Sequence, residues 1–314
     1  MKLLQRQIRI DSEYSGRRLD QALVNLLPDY SRGKIQLWIK RGFIYLNRQP
    51  CKPKQRVYSG DLIDLDIPRV ARLSDQPEAI EFEVLHQDDD IIVINKPANL
   101  VVHPAAGHDT GTLVNGLLNM DARLEQLPRA GIVHRLDKDT TGVMMVARTL
   151  SAHSNLVDQL QQRLVKREYL AITQGVITAG RTIETGIARH PVDRKKMSVQ
   201  AYGKPAITHF QVVQKFPHHS LISVQLETGR THQIRVHLAH IHHPLLGDPL
   251  YGGRERIPAG ITSRLAGLLR DFKRQALHAQ KLSFVHPASK QPCSFEAKIP
   301  HDFEQLFDAL SEKI

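Results

Sequence analysis

The sequence predicts an α+β protein built as a small N-terminal unit and a larger second one. Three observations lead there. The chain has 314 residues, enough for about two domains at roughly 100–200 residues each. Helix-like and strand-like segments mix without the regular β-α alternation of a doubly wound sheet. Charge is also divided unevenly: residues 1–70 hold 14 Lys/Arg against 7 Asp/Glu, whereas the other 244 hold 29 against 25. The expected boundaries are a first domain at 1–67, a linker at 68–80 and a second domain at 81–314.

In the first unit Leu19, Ala22, Leu23, Leu26 and Leu27 recur at helical spacing, and Pro28-Asp29 ends that helix. Ser31 fits the N-cap of a second helix that Gly42 closes. Its apolar face is Ile35, Trp38 and Ile39, and Arg32, Lys34, Lys40 and Arg41 form its basic side. Short strands follow at Phe43–Leu46 and Leu62–Ile67, with Gly60-Asp61 as a turn. Residues 68–80 lack periodicity and contain Pro68, Ser74, Asp75 and Pro77, the pattern of a linker. The turn Asp88-Asp89-Asp90 leads into a buried strand at Ile91–Asn95, and Val143–Ala147 reads as another. Ser151 is expected to cap a helix whose Ala152, Leu156, Val157, Leu160 and Leu164 face inward. Tyr169–Ile172, Thr208–Val213 and Leu221–Leu226 are further strand candidates. No internal repeat or long low-complexity tract is visible.

The formal net charge of +11 points to a polyanionic partner, nucleic acid above all; a basic enzyme with no such partner is the alternative. Cys51 and Cys293 are the only cysteines, which excludes a disulfide scaffold and a Cys-rich zinc site and suits a reducing compartment. The N-terminus places Lys2 and Arg6 where a secretory signal needs an apolar run. Apolar stretches such as Ile91–Ile94 fall far short of the roughly 20 residues that span a bilayer. The reading is a cytosolic protein without membrane association.

Chemistry concentrates in three stretches. Gly131-Ile132-Val133-His134-Arg135-Leu136-Asp137-Lys138-Asp139-Thr140-Thr141-Gly142 sets charges between apolar runs, where a strand end or cleft permits pKa tuning. Asp137 is a candidate nucleophile or acid/base group; the alternative is an Asp that caps the next turn or pairs with Arg135 or Lys138. In Gly229-Arg230-Thr231-His232-Gln233-Ile234-Arg235-Val236-His237-Leu238, Arg230 and Arg235 suit carboxylate or phosphate, or are surface arginines on a solvated face. In Lys166-Arg167-Glu168-Tyr169-Leu170-Ala171, Tyr169 has a strand pattern that a core tyrosine also explains. His232, His237, His240, His242 and His243 raise a metal site, but there is no H-E-x-x-H, and solvent- or phosphate-facing histidines are the expectation. The P-loop and the dinucleotide-binding G-x-G-x-x-G are both missing. Arg194-Lys195-Lys196 is either a phosphate-touching loop or a solvated charge run.

Together these stretches resemble the RluA-type RNA pseudouridine synthases. His134-Arg135-Leu136-Asp137 with Thr140-Thr141-Gly142 is similar to the family's H-R-L-D-x-x-[TS]-[ST]-G signature. Gly229 through His237, followed by His243-Pro244-Leu245-Leu246-Gly247-Asp248-Pro249-Leu250-Tyr251, resembles its third motif. Lys96-Pro97, Val102-His103-Pro104 and Tyr169 also match, and residues 17–67 resemble an S4 RNA-binding domain. Ala98-Asn99 stands where a Gly is common in the K-P-x-G-L turn, and Arg48-Gln49 where the S4 hairpin commonly has Asn-Gly. Ala130–Gly142, Arg189-His190-Pro191 and Arg274-Gln275-Ala276-Leu277-His278-Ala279 resemble members acting on the large ribosomal RNA.

The resemblance implies an S4 module of the αL type ahead of a catalytic domain with a central mixed, mainly antiparallel sheet flanked by helices. It implies an isomerase that needs no cofactor or metal, acting as a monomer on 23S ribosomal RNA or a large-subunit particle, at uridines of the helix 69 stem-loop. Asp137 is then the nucleophile and Arg235 the cation that keeps it ionised, with Arg230 structural or RNA-facing. Tyr169 packs on the flipped uracil and assists removal of the C5 proton, and Arg135 fills the gap the base leaves. Arg32, Lys34, Lys40 and Arg41 contact RNA phosphates. Two other readings are a non-catalytic S4-type RNA-binding protein and a metal-dependent hydrolase built on the histidine cluster.

Overall fold

The protein is described from a computed structural model covering residues 3–27, 32–68, 76–104, 108–253 and 257–312. It divides into two compact units, Met1–Leu73 and Ser74–Ile314.

The first unit contains β1 (Leu3–Arg9), α1 (Leu19–Leu26), α2 (Arg32–Lys40), β2 (Ile44–Leu46), β3 (Gln49–Pro50) and β4 (Leu62–Pro68). The strands form one sheet in the order β1-β4-β2-β3. Leu19, Ala22 and Leu23 of α1 meet Ile35, Trp38 and Ile39 of α2 over Ile44, Ile63 and Leu65 of the sheet. Gly42 ends α2 with a φ of +70°, its N–H bonding Ile39 O, as expected of a glycine just past a helix. The proposed stop Pro28-Asp29 and cap Ser31 lie outside the described residues. Asp20 is fully buried and accepts hydrogen bonds from Arg18, Arg32 and Gln36, which tie α1 to α2. Arg32 therefore serves Asp20 with part of its guanidinium and keeps 46% of its side chain in solvent. Lys40 and Arg41 are exposed at the end of α2, and the Lys34 side chain is outside the described residues.

Two features of this unit differ from expectation. The hairpin turn is Asn47-Arg48, one residue earlier than Arg48-Gln49, with φ of 51° and 63°. With positive φ at both central residues the turn is of the type I′ class, so Arg48 bears a conformation that glycine adopts freely. Strand β1, which the sequence pattern did not announce, pairs antiparallel along β4 from Leu3↔Pro68 to Arg9↔Leu62.

The second unit contains β5 (Glu83–Gln87), β6 (Ile91–Lys96), α3 (Leu113–Met120), β7 (Thr141–Ala147), α4 (Leu150–Gln161), β8 (Lys166–Gln174), β9 (Arg181–Arg189), β10 (Met197–Val199), β11 (Lys204–Lys215), β12 (His219–Leu226), α5 (Gln233–His240), α6 (Ser263–Asp271), β13 (Leu277–Val285), β14 (Pro292–Glu296) and α7 (His301–Ser311). One ten-stranded sheet runs β10-β9-β11-β12-β8-β13-β7-β6-β5, with β14 on β13. Within it β7 and β13 pair in parallel and the other described pairs are antiparallel. This is the mixed, mainly antiparallel α+β sheet expected. Residues 76–80, read as linker, lie against α3: Glu78 N–H bonds Asn115 O, and Asn115 Nδ2 donates to Gln76 O. Ser74 and Asp75 fall outside the described residues.

Strands β6 and β7 are buried on both faces, which explains their unbroken apolar runs. Ile92, Ile94, Met144 and Val146 turn to one face and pack with Leu113 and Leu117 of α3 and Ile234 and Leu238 of α5. Ile91, Val93, Val143 and Met145 turn to the other, against Ala152 and Leu156 of α4. The cap of α4 is Thr149, whose hydroxyl accepts Ala152 N–H, rather than Ser151. Leu164 lies beyond that helix and is 55% exposed, because α4 ends at Gln161 before its inward face recurs. Among the described residues no helix is long and apolar enough to cross a membrane.

Candidate active site

Asp137 sits on the loop that enters β7, and the apolar residues around it fix that loop. Ala130, Ile132 and Leu136 are buried in the core beneath α3 and α5. Gly142, one residue into β7, has a φ of +116°; a Cβ there would lie 2.1 Å from Ala279 O of β13. Only glycine lets β7 and β13 approach this closely. Three polar anchors hold the loop. Lys96 Nζ, fully buried, donates to the carbonyls of Pro97, Leu100 and Lys138 at 2.7, 2.9 and 2.8 Å. Arg274 Nη1 donates to Asp139 O at 3.3 Å, and Gln275 Nε2 to Thr140 Oγ1 at 3.0 Å. Burial lowers the Lys96 ammonium to about 7, with Asp139 and then Asp137 pulling the other way. Three carbonyl acceptors use all three N–H bonds of the charged form. Asn99, in the turn after Lys96-Pro97, takes a φ of +62°, as a glycine there would.

The Asp137 side chain retains 17% exposure and pairs with Arg235 of α5, neither with Arg135 nor with Lys138. Arg235 Nη1 donates to Asp137 Oδ2 at 2.9 Å. Its other edge is held by Asp248 through Nε to Oδ2 at 2.7 Å and Nη2 to Oδ1 at 2.8 Å. Asp248 is itself fixed by the N–H groups of Leu250 and Tyr251, and the Tyr251 ring lies 5.1 Å from the guanidinium carbon. Burial opposes the Arg235 charge, but the Asp248 hydrogen bonds and then the Asp137 charge outweigh it and raise its pKa. Arg235 is 4% exposed, so the solvated-face reading fails for it; Arg230 is exposed, its Nε on Pro205 O. The geometry presents one partly exposed carboxylate, fixed in direction by a guanidinium that Asp248 anchors from its other edge, above an apolar floor.

Tyr169 of β8 belongs to that floor, 6% exposed among Ile222, Val224 and Leu136. Burial raises its phenol pKa and the nearby Asp137 adds to this, while Arg167 opposes. At neutral pH the buried phenol therefore stays protonated, with even less phenolate than free tyrosine, and its ring is a packing surface. Arg135 is exposed on the Asp137 loop, free to reach outward. His134 turns inward: Nε2 accepts Met145 N–H at 3.1 Å.

The histidine group is dispersed: His240 and His242 are exposed, as expected, and the other three turn inward. His237 is fully buried between Thr208 and Thr185, His243 Nδ1 meets Gln174 O, and His232 Nδ1 meets the Tyr251 hydroxyl. Among the described residues no three His, Cys, Asp or Glu side chains converge on a point that could hold a metal, so the hydrolase reading loses its ligand set. Burial, the largest cause in each, lowers His103, His219 and His237 to about 4 and His134 to about 3. The folded state keeps them neutral while the unfolded chain binds protons below about pH 6.5. Stability is therefore full above that pH and drains as pH falls toward 4. The melting temperature at pH 5 is expected to lie below that at pH 7, and a flat Tm over this range would contradict the burial of these rings.

Residues 90–240 match the RNA pseudouridylate synthase family and residues 17–63 match the S4 domain. The chain is 47% identical over 307 residues to ribosomal large subunit pseudouridine synthase D of Xylella fastidiosa, covering 98% of this chain and 93% of that one. It is 48% identical to the protein so named from Salmonella typhimurium, over 94% of this chain and 91% of that one. Among solved structures, human RNA Pseudouridylate Synthase Domain Containing 4 superposes with a TM-score of 0.58 at 27% identity, covering 74% of this chain and 94% of that chain.

Proposed function

The chain belongs to the RNA pseudouridylate synthase family and is an isomerase with an S4 domain, and we propose that it converts uridines of 23S ribosomal RNA to pseudouridine, in the helix 69 stem-loop. The observation that carries the reading is the Asp137–Arg235–Asp248 clamp, with the Asp137 side chain left 17% exposed. The reaction breaks the C1′–N1 bond and joins C1′ to C5, while one proton leaves C5 and one is gained at N1. No electrons are exchanged with an outside partner. A carboxylate is a competent nucleophile at an anomeric carbon, and Asp137 is assigned that role. Arg235 pairs with it and aims it, and Tyr169 supplies an apolar face for the extruded uracil.

The base must leave its stack before C1′ and C5 become accessible. Arg135 is assigned the gap left behind, where a planar guanidinium stacks. Lys40 and Arg41, and Arg32 with the part of its guanidinium not given to Asp20, are assigned to phosphates, with Lys34 beside them in the sequence. Such contacts position the enzyme without reading sequence. The enzyme is read as a monomer working in the cytoplasm on the RNA or on a large-subunit particle.

The deciding experiment incubates the protein with an unmodified 23S transcript and maps carbodiimide adducts by primer extension. New adducts at helix 69 uridines support the reading; adducts elsewhere move the target; none at any uridine leaves a binding protein. For Arg135→Ala, turnover of the folded stem-loop is expected to fall more than turnover of a short single strand, since the strand needs less unstacking. Equal losses on both would remove the stacking role.

A further inference from the structure

Beside Asp137, two polar atoms face each other across a gap. His232 Nε2 lies 3.9 Å from Asp137 Oδ1, too far for a hydrogen bond. Both side chains keep 17% exposure, so the gap is reachable from solvent. Arg235 occupies Oδ2, leaving Oδ1 as the carboxylate's outward oxygen. His232 is held in an unfavourable backbone conformation for a residue with a Cβ, φ of 56° at the start of α5. Such strain persists where surrounding contacts demand it. Here the Tyr251 hydroxyl accepts Met197 N–H at 2.8 Å and lies 2.8 Å from His232 Nδ1. With a backbone donor already on its oxygen, the phenol is free to give its own proton to Nδ1, and we assign the neutral ring the tautomer that carries its proton on Nε2. Burial keeps that ring neutral by lowering its pKa, with Asp137 and Asp248 opposing and Arg235 and Arg135 reinforcing.

The gap thus has an N–H donor on one side and a carboxylate acceptor on the other. A hydroxyl accepts one hydrogen bond and donates one, so it bridges such a pair, with both bonds at roughly 2.8 Å. A carbonyl or a base N–H satisfies one side only. A carboxylate within reach of C1′ has the substituent on C2′ beside it, and in RNA that substituent is a hydroxyl. Resting on the assignment of Asp137 to C1′, we propose that His232 and Asp137 jointly grip the 2′-hydroxyl of the target nucleotide. This makes His232 a residue that distinguishes ribose from deoxyribose, and Tyr251 the residue that sets its tautomer.

The test uses synthetic RNA stem-loops that differ only in carrying uridine or 2′-deoxyuridine at the target. KM and kcat are measured for the ribose RNA, and the deoxy RNA is assayed as a competitive inhibitor, which requires no turnover of it. In the wild type the inhibition constant should exceed KM by roughly tenfold, the worth of a hydrogen bond to a charged or fixed group. His232→Asn keeps the left-handed backbone, which Asn tolerates, but is too short to bridge. It should raise KM severalfold toward the inhibition constant, Asp137 still accepting from the hydroxyl, and leave the inhibition constant unchanged. His232→Gln, with a longer amide, should restore part of the difference, and Tyr251→Phe should lose part of it. A variant His232→Asn that keeps the wild-type ratio, or raises both constants equally, overturns the proposal. If the wild type modifies no ribose RNA at all, the functional reading fails instead.

Discussion

Asp137→Asn is expected to fold, bind RNA and form no product. The substitution keeps shape and leaves an amide oxygen able to accept from Arg235 Nη1, which sits 2.9 Å from the carboxylate. Arg235 also keeps both bonds to Asp248, so the clamp survives. The charge is what disappears, and a neutral amide does not attack C1′. Removing a nucleophile reduces turnover by on the order of 10⁴-fold or more, whereas binding made by other groups persists. Thermal melting, filter binding of the stem-loop and adduct mapping on one preparation separate these outcomes. Wild-type turnover by this variant would refute the assignment of Asp137. A loss of RNA binding equal to the loss of turnover would point to misfolding, which the melting curve detects.

The acid itself was legible because its neighbours carry the pattern: His134-Arg135-Leu136-Asp137 ahead of Thr140-Thr141-Gly142. Arg235 was legible in the same way. Asp248 was not singled out, because in Gly247-Asp248-Pro249 it has the composition of a turn. It does build a turn, through Leu250 and Tyr251 N–H, while also clamping Arg235. The His232–Tyr251 bond links positions 19 apart in sequence, and no periodicity marks it. Lys96 showed only as part of Lys96-Pro97; one of its three carbonyl partners, Lys138, lies 42 residues away from it. Among the elements, α4 and the strands around Ile91, Val143 and Tyr169 followed from apolar spacing. Strand β1 did not, since Arg6, Gln7 and Arg9 interrupt its apolar residues and its partner β4 is distant in sequence. The parallel join of β7 to β13 also depends on contacts that spacing does not encode.

Arg235→Met is expected to damage both stability and chemistry, and a second substitution should separate the two. Asp248 is 2% exposed, and without the guanidinium its side chain keeps, among the described residues, two backbone N–H partners. Breaking a buried ion pair from one side costs about 3–5 kcal/mol, so the melting temperature should drop by many degrees. Asp137 loses its aim at the same time, and turnover should fall by on the order of 10³-fold, the scale of losing a fixed electrostatic partner. Adding Asp248→Asn removes the stranded charge, and its amide oxygen still accepts from Leu250 and Tyr251. The double variant should regain most of the stability and none of the activity. Arg235→Lys should be intermediate, because one ammonium cannot reproduce a planar fork shared between two carboxylates. If the double variant regained turnover with stability, Arg235 would be only a structural residue. If Arg235→Met melted like the wild type, Asp248 would have to find water or protonate, and the clamp would not be what orders the nucleophile.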